Sequence, residues 1–277
     1  MNTVSRRAVL AGIGPAALGV GAVATAQTAQ AALPAVWMDR LVVQSQVEPW
    51  TNNNTSLPGN NGVELVQQAL RARYGGVTVD GHFGDQTRAA YARFQRDLGY
   101  SGADASGIVG PTSLTKLGNG RFTVERKINV GSKVSYSGVT VNQRTATMLS
   151  EANRLVAWSF DVVKGSYVGC DGNSACTHAW GGAIDMYLDW GSDRGSKTVQ
   201  ALRKVGFAAW LRPKNASWET HIHAIAIGDT DVHIQAADQV GDLWLGRNGL
   251  AGHAADNLPA QYRVPFTWWE AYQRGSR

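Results

Sequence analysis

The sequence predicts an α+β protein in which a small three-helix bundle precedes a larger α+β domain with a short antiparallel sheet. Three observations support this prediction. Apolar residues recur at helical spacing between residues 60 and 118, and β-branched residues alternate with polar ones after residue 118. Two later segments, AIDMYLDW and HIHAIAIG, alternate as strands do. A chain of 277 residues also exceeds one ordinary domain of roughly 100 to 200 residues, so two modules are expected.

Residues 1–31 are predicted to be a bacterial twin-arginine export signal. Arg6 and Arg7 precede an uncharged run of small and aliphatic residues from Ala8 to about Ala26, and Ala29-Gln30-Ala31 forms a small-x-small cleavage site. A permanent membrane anchor is the alternative, but a run of about nineteen residues rich in Gly and Ala is weakly apolar for a span. We therefore expect cleavage after Ala31, an extracellular or cell-wall location, and no membrane span in the mature chain.

The balance of charge argues against one class of partner. The 26 basic residues fall to 24 when Arg6 and Arg7 leave with the signal, which against 21 acidic residues gives a net charge of +3. A phosphate-binding surface needs a clustered basic stripe, and these charges are dispersed, so nucleic acid is not an expected partner. A mild positive balance suits an anionic cell wall.

Residues 32–59 are expected to be a linker, because they are polar and turn-rich and run into TNNNTSLPGNNG. Helical spacing begins after them, and the segments VELVQQALRARY and TRAAYARFQRDLGY are predicted to be helices. Asp85 precedes the second helix, where a carboxylate can accept free backbone N–H groups. Asp80 and Gly81 mark a tight turn between the two helices. Pro111 marks the entry of a third, shorter helix in GIVGPTSLTKL.

These helical segments resemble the three-helix peptidoglycan-binding domain of bacterial wall hydrolases over residues 60–118. The elements V-D-G-x-F-G-x-x-T, F-Q and G-I-V-G-P appear in the family's order. One departure is Ala105-Ser106, where the family usually has an acidic residue before Gly107. The resemblance implies a wall-anchoring role with peptidoglycan as the partner, whereas periodicity alone implies only a small helical domain.

A change of structure is expected near residues 118–138, where β-branched residues are interrupted by Gly and Ser. Residues 125–277 are then predicted to form the α+β domain. The segments ATMLSEANRLVAWSF and KTVQALRKVGFAAW have helical spacing, and the second helix is expected to end near Gly206. Short strands are expected between these helices and after them.

Cys170 and Cys176, in CDGNSAC, are the two cysteines of the chain. Export places them in an oxidising compartment, where a pair that closes a five-residue loop rich in Gly, Asn and Ser favours a disulfide. Two thiolate ligands for zinc are the alternative, but C-x5-C lacks a matching second pair of cysteines. The disulfide is predicted to stiffen the loop that delivers His178.

A candidate metal site lies in the segments THAWGGAID and HIH. Gly181-Gly182 stops a helix, so His178 is expected on a loop, and Asp185 points away from the aliphatic side of its strand. His221 and His223 are two residues apart and share a face. Two imidazoles, one carboxylate and an open position make a catalytic zinc site, where the metal lowers the pKa of water to about 7 and polarises a carbonyl. From spacing alone, a buried hydrogen-bonded cluster is the competing interpretation.

The segment GSYVGCDGNSACTHAWGGAIDM, followed by W-x-x-HIH, resembles the zinc D-alanyl-D-alanine carboxypeptidase superfamily. This superfamily also contains lysostaphin-type endopeptidases and the hedgehog signalling domain. The likeness covers residues 142–228, and the family pattern S-x-H-x-x-G-x-A-x-D has Cys176 in place of its serine. The resemblance implies that His178, Asp185 and His223 bind Zn²⁺, and that His221 stabilises the developing oxyanion or moves a proton.

The general base is the main departure from this family. Carboxypeptidases usually have an acidic residue three positions before the last zinc histidine, and Thr220 stands there. Glu219 is a candidate base, because on a regular strand it would share a face with His221 and His223; a solvated surface glutamate is the alternative. Arg144 lies where the carboxypeptidases often carry an arginine for the substrate's carboxylate, so it is a candidate substrate-binding residue, with a surface arginine as the alternative.

Together these features predict an exported, wall-associated zinc peptidase that binds peptidoglycan and hydrolyses a peptide bond of its stem or cross-bridge. A non-catalytic peptidoglycan-binding protein, whose peptidase-like domain has lost its base, is the alternative. Protein recognition of the hedgehog type is a third possibility. Carboxypeptidase and endopeptidase activity both stay open at this point.

Overall fold

The computed structural model of the chain describes residues 31–51, 62–170, 175–187 and 192–275. Leu33–Arg277 form one compact unit, so both predicted modules lie within the same unit. The predicted export signal lies outside the described residues, except for its last residue. Among the described residues, no helix has both the length and the hydropathy that a membrane span requires.

The described residues contain both helices and strands, which confirms the predicted α+β class. The helices are α1 (Met38–Val47), α2 (Gly62–Tyr74), α3 (Asp85–Asp97), α4 (Pro111–Gly118), α5 (Gln143–Arg154), α6 (Ser192–Lys204), α7 (Ile234–Trp244) and α8 (Trp269–Gln273). The strands are β1 (Ala35–Trp37), β2 (Thr123–Glu125), β3 (Lys133–Tyr136), β4 (Val139–Asn142), β5 (Ala183–Tyr187), β6 (Phe207–Arg212) and β7 (His221–Ala226).

Helices α2, α3 and α4 form the predicted three-helix bundle. Its core holds buried side chains from all three helices: Val63, Val66, Leu70, Tyr91, Phe94, Leu114 and Leu117. The turn between α2 and α3 requires a positive φ, which Gly81 adopts at 74°. The expectation that Asp85 caps α3 is wrong, because Gly84 is the N-cap residue and no side chain accepts a bond there.

The expected linker at residues 32–59 is corrected over its described part. Strand β1 and helix α1 occupy this segment, and β1 pairs in parallel with β2. Helix α1 contributes to two apolar clusters at once. Leu41 and Val42 belong to the cluster of the helical bundle, whereas Val43 and Val47 belong to a cluster shared with α7 and the central sheet. This segment therefore joins the two modules by packing.

Buried polar side chains explain why the sequence of α1 resembles a linker. Gln46 is buried, yet its amide donates to the carbonyl of Asp229 at 3.1 Å and accepts from the N–H of Gly228 at 2.9 Å. Gln44 donates to Glu48 at 3.1 Å. Polar groups can be buried when they are hydrogen-bonded in this way, and a hydrophobicity pattern does not reveal that satisfaction.

Strands β5, β7 and β6 form a three-stranded antiparallel sheet with β7 in the centre. One face is apolar along its length and packs against α5 and α6; its buried residues are Ile184, Met186, Phe207, Ala209, Ile222, Ala224 and Ala226. The other face of the sheet is apolar at one end and polar at the other. At one end Ala183, Ala208 and Ile225 pack with α7, and at the other end polar side chains of all three strands face a cavity. The alternation predicted for β5 places Asp185 on this second face.

Helix α7 is held close to the segment that follows α1. Gly241 lies against Trp50, and a Cβ atom added at Gly241 would stand 2.4 Å from the Cδ1 atom of Trp50. We expect Gly241→Ala to destabilise the protein by about 1–3 kcal/mol, the usual cost of an overpacked contact. In a chain of this size, each kcal/mol of lost stability lowers the Tm by about 2–4 °C. Thermal denaturation followed by circular dichroism measures it.

Gly252→Ala is the control for this substitution, because a Cβ atom at Gly252 would meet nothing within 4 Å. Its Tm should stay at the wild-type value. Alanine is also favoured over glycine inside a helix by about 1 kcal/mol, so a loss of stability at Gly241 can only come from the contact with Trp50. A Gly241→Ala protein as stable as the wild type would show that the two segments do not pack closely.

Candidate metal centre

The structure brings His178, Asp185 and His223 together. His178 lies on the loop before β5, Asp185 is the third residue of β5, and His223 is the third residue of β7. Asp185 and His223 are directly paired in the antiparallel register. The Nε2 atom of His178 is 3.2 Å from one oxygen of Asp185, and the Nδ1 atom of His223 is 2.7 Å from the other. One ligand atom from each residue lies within 4.8 Å of the other two.

The outer nitrogens of both histidines have their own partners. The Nδ1–H group of His178 donates to the carbonyl of Gly165 at 2.9 Å, because a carbonyl can only accept. The Nε2–H group of His223 donates to the Oε1 atom of Gln239 at 2.9 Å. Each ring therefore turns its other nitrogen towards the Asp185 carboxylate, to which that nitrogen donates when it is protonated and beside which it offers a lone pair to a metal when it is not. Two nitrogen donors and a carboxylate oxygen at this separation fit the ligand set that zinc prefers.

The protonation states at this centre suit a metal ligand set. Burial alone would raise the pKa of the Asp185 carboxyl, but hydrogen bonds from His178 and His223 outweigh burial and hold that pKa below its ordinary value. Burial lowers the pKa of His223, against the opposing effect of Asp185. Both shifts favour the forms that bind a metal, an ionised Asp185 and a neutral His223.

The three residues open into a cavity of about 610 Å³. Its walls come from the loop before β5, the three strands, helix α7 and the loop at residues 249–252. The lining residues are Lys164, Ala175, Thr177, His178, Asp185, Arg212, Ser217, Trp218, His221, His223, Gln239, Gly249, Leu250, Ala251 and Gly252. Asp185 is the one carboxylate among these described residues, beside the cations Lys164 and Arg212.

His221 lies in the same cavity as the three clustered residues, on the same face of β7 as His223. Its Nδ1–H group donates to the carbonyl of Glu219 at 2.7 Å, which leaves the Nε2 lone pair of a neutral ring available. The ring of Trp218 contacts the His221 ring edge-on, with 6.1 Å between the ring centres. His221 is therefore positioned to exchange a proton with a group inside the cavity.

The structure does not place the Glu219 carboxylate in this cavity. Strand β7 begins at His221, so the two-residue alternation does not extend back to Glu219. The Glu219 side chain is 65% exposed and pairs with Lys214 at 2.7 Å. The candidate base at Glu219 is therefore corrected to a solvated glutamate, and only its backbone carbonyl touches His221.

Arg144 also lies outside the cavity. It is buried in α5, where its guanidinium pairs with both carboxylate oxygens of Glu270 at 2.8 Å and donates to the carbonyl of Ile227 at 2.9 Å. The candidate substrate-binding role is thus corrected, and so is the alternative of a surface arginine. Arg144 instead fastens helix α8 to α5 and to the end of the central sheet.

Cys170 and Cys176 form the predicted disulfide. The residues between positions 170 and 175 lie outside the description. Two backbone bonds tie the flanking segments together: the N–H of Tyr167 donates to the carbonyl of Trp180, and the N–H of Val168 donates to the carbonyl of His178, both at 3.1 Å. The loop that carries His178 is therefore held by a covalent bond and by a short ladder.

Arg212 and Gln239 both line the cavity, and neither was predicted from the sequence. Arg212 is paired in register with His221 across β6 and β7. The segment FAAWLR directly follows a segment with helical spacing, and no polar residue separates the two. The strand that carries Arg212 was therefore not recognised. A strand prediction at residues 207–212 would have placed Arg212 on one face of the sheet with Trp210, but its register with His221 depends on long-range pairing.

Two comparisons with known proteins match these observations. Residues 59–117 match the family model of the peptidoglycan binding domain. The chain is also 29% identical over 205 residues to the zinc D-Ala-D-Ala carboxypeptidase of Streptomyces albus G, a match that covers 65% of this chain and 78% of that protein. No solved structure matches the chain.

These matches confirm the two-part arrangement that the sequence predicts, and they support a peptidoglycan-associated peptidase. They also fit an extracellular or cell-wall location and make peptidoglycan the supported partner. The chain thus carries a domain of the peptidoglycan-binding family at residues 59–117, and elsewhere it resembles a zinc D-Ala-D-Ala carboxypeptidase.

Proposed function

We propose that this chain is an exported zinc peptidase that is held on peptidoglycan by its helical bundle and hydrolyses a peptide bond of the stem or cross-bridge. The observation that carries the proposal is the convergence of His178, Asp185 and His223 in a cavity that also contains His221. Tethering to the wall raises the local concentration of substrate around this cavity. Export rests on the twin arginine of residues 6 and 7.

Zinc bound by His178, Asp185 and His223 would supply a Lewis acid that activates water and polarises the scissile carbonyl. The remaining work falls to side chains of this chain. His221 accepts a proton at Nε2 and returns it to the leaving amine, because its Nδ1–H group is already engaged with the carbonyl of Glu219. Trp218 shields this imidazole from solvent on one side.

Arg212 supports recognition of a carboxylate in the substrate. Its side chain is almost fully buried at the cavity wall, lies over Trp210 and donates to the carbonyls of Asn248 and Gly249. Among the described residues no carboxylate forms an ion pair with it. Burial lowers the pKa of Arg212 to about 10, so the guanidinium stays charged at neutral pH. Asp185, Asp256 and Asp242 act on this cation only at longer range, and a buried cation without a directly paired carboxylate favours an anionic ligand, since desolvated charges need pairing.

We expect Arg212→Met to discriminate between substrates by their charge. A stem peptide that ends in free D-Ala-D-Ala should lose roughly 10- to 100-fold in kcat/KM, because a hydrogen bond to a charged group contributes about 1.5–3 kcal/mol. The same peptide with an amidated C-terminus should be cleaved equally by both proteins. Release of D-alanine, or of its amide, measures both rates.

Arg154→Met is the matched control, because Arg154 is an exposed arginine paired with Glu151 outside the cavity. It should leave both rates unchanged. A similar loss for the free and the amidated peptide in Arg212→Met would assign Arg212 a structural role. Selective loss for the free carboxylate would favour a carboxypeptidase over an endopeptidase.

A second candidate function is a non-catalytic peptidoglycan-binding protein. It is favoured by Thr220 at the family's acidic position and by the absence of any carboxylate other than Asp185 among the described residues of the cavity wall. Purified mature protein distinguishes the two functions. Release of D-alanine or cross-bridge peptides from wall fragments, lost on chelation of the metal, supports the peptidase; a zinc-loaded protein without turnover supports the binder.

A further inference from the structure

We propose that Gln239 is a positioning residue of the metal centre, which fixes the tautomer and the ring orientation of His223. This inference rests on the proposed function, because it assigns His223 to a zinc ion. Gln239 stands on α7, lines the cavity, and presents its amide oxygen 2.9 Å from the Nε2 atom of His223.

The tautomer of His223 decides whether the residue can bind a metal through the nitrogen that faces the cluster. That nitrogen is Nδ1, which lies 2.7 Å from Asp185. A neutral imidazole carries one proton, so Nδ1 has a free lone pair only when the proton is on Nε2. An amide oxygen can accept a hydrogen bond but cannot donate one. The contact with Gln239 therefore favours a proton on Nε2, so that the proton on Nδ1, which the Asp185 carboxylate attracts, is the one displaced when a metal binds.

The two ligand histidines are held in different ways. The Nδ1–H group of His178 donates to a backbone carbonyl, that of Gly165, which a side-chain substitution leaves in place. His223 depends on the side chain of Gln239, and its ring is almost fully buried, so loss of this acceptor leaves the Nε2–H group poorly solvated. Outer partners of this kind typically account for 10- to 100-fold in metal affinity.

Helix α7 is itself anchored next to Gln239. The carboxylate of Asp238 accepts a bond from the indole N–H of Trp50 at 3.2 Å and pairs with Arg88 at 2.9 Å. Arg88 belongs to α3, within the part of the chain that matches the peptidoglycan-binding family. The turn of α7 that carries Gln239 is therefore fastened by the helical bundle and by the segment after α1, which limits how far the amide can move from His223.

Gln239→Met tests the inference, because methionine has a similar length but does not offer a strong acceptor. Zinc affinity is measured on the full mature chain by competition with a chromophoric chelator. We expect Gln239→Met to bind zinc about 10- to 100-fold more weakly than the wild type. Gln239→Glu restores an acceptor and should bind at least as tightly as the wild type. Gln235→Met, on the exposed side of the same helix, is the matched control and should keep wild-type affinity.

A second readout does not involve the metal. Nitrogen-15 chemical shifts of the His223 ring in metal-free protein report which nitrogen carries the proton. The wild type and Gln235→Met should keep a proton on Nε2, and Gln239→Met should shift towards the Nδ1–H form that the Asp185 carboxylate favours. A general loss of structure in Gln239→Met would alter its His178 signals as well. Loss of ring orientation alone would alter only its His223 signals.

The outcomes separate this inference from the proposed function. A wild type that binds zinc, with Gln239→Met within twofold of it and an unchanged His223 tautomer, overturns the inference and leaves the peptidase proposal standing. A wild type that does not bind zinc overturns the proposed function and, with it, the role of Gln239 at a metal centre. Weaker binding by Gln239→Met, restored in Gln239→Glu, supports the inference.

Discussion

Asp185→Asn is expected to abolish zinc-dependent hydrolysis and to weaken zinc binding by more than the roughly 10- to 100-fold that an outer partner accounts for. Asp185 is the residue that contacts both histidines of the cluster, and it is the negatively charged member. Asparagine keeps the volume of the side chain but removes the charge. An amide also has one acceptor oxygen and one donor NH2 in place of two acceptor oxygens, so it cannot make the same contact with both histidines.

The measurements for this variant are zinc content after purification, zinc titration, and release of D-alanine from a stem peptide. Asp193→Asn is the control, because Asp193 is exposed and pairs with Lys197 on α6, away from the cavity lining. It should keep wild-type zinc content and turnover. An Asp185→Asn protein with full zinc occupancy would contradict the proposed ligand set.

The same substitution should change how stability depends on pH. Because the pKa of Asp185 is lower in the folded protein than its ordinary value of 3.8, its ionised form stabilises the fold above that value. This contribution is lost as the pH falls below about 4, where the unfolded chain binds the proton first. Urea denaturation of metal-free protein at several pH values measures it. Asp185→Asn should reduce the acid sensitivity of the fold relative to the wild type.

The parts of the site that the sequence could predict are those that depend on local geometry. Two-residue spacing places His221 and His223 on one face, and Gly181-Gly182 leaves His178 on a loop. The pairing of Asp185 with His223 is a matter of sheet register, and spacing alone does not set it. Family resemblance supplied that link before the structure did.

Predictions failed where contacts that the pattern of a segment does not show decide the outcome. Glu219 lies two residues before His221, the spacing that places residues on one face of a strand. However, β7 starts at His221, and the Glu219 carboxylate pairs with Lys214. Arg144 pairs with Glu270, a partner 126 residues away. Helix α1 buries the polar side chain of Gln46, whose partners lie 182 and 183 residues away, so its polarity suggested a linker. The partners of Arg144 and of α1 are too distant in sequence to be visible in a local pattern, whereas Lys214 is five residues from Glu219 and the end of the strand decides that case.

His221→Ala is expected to lower kcat by about 10²- to 10⁴-fold, the usual contribution of a positioned acid or base. Zinc affinity should stay within a few-fold of the wild type, because His221 is not among the three clustered ligand residues. Low turnover with full zinc content distinguishes His221 from His223, because loss of His223 should remove both zinc binding and turnover. Single-turnover hydrolysis and zinc titration on the same samples give the two quantities.

Glu219→Gln completes this test, because it removes the other candidate base while leaving its backbone carbonyl in contact with His221. The carboxylate is exposed and paired with Lys214, so turnover should stay within about twofold of the wild type, as for most surface substitutions away from a site. If Glu219→Gln lost activity and His221→Ala kept it, the proton would travel through a carboxylate that moves into the cavity. If both kept activity, neither side chain would be the base, and the proton would have to leave through solvent or through the ligand set itself.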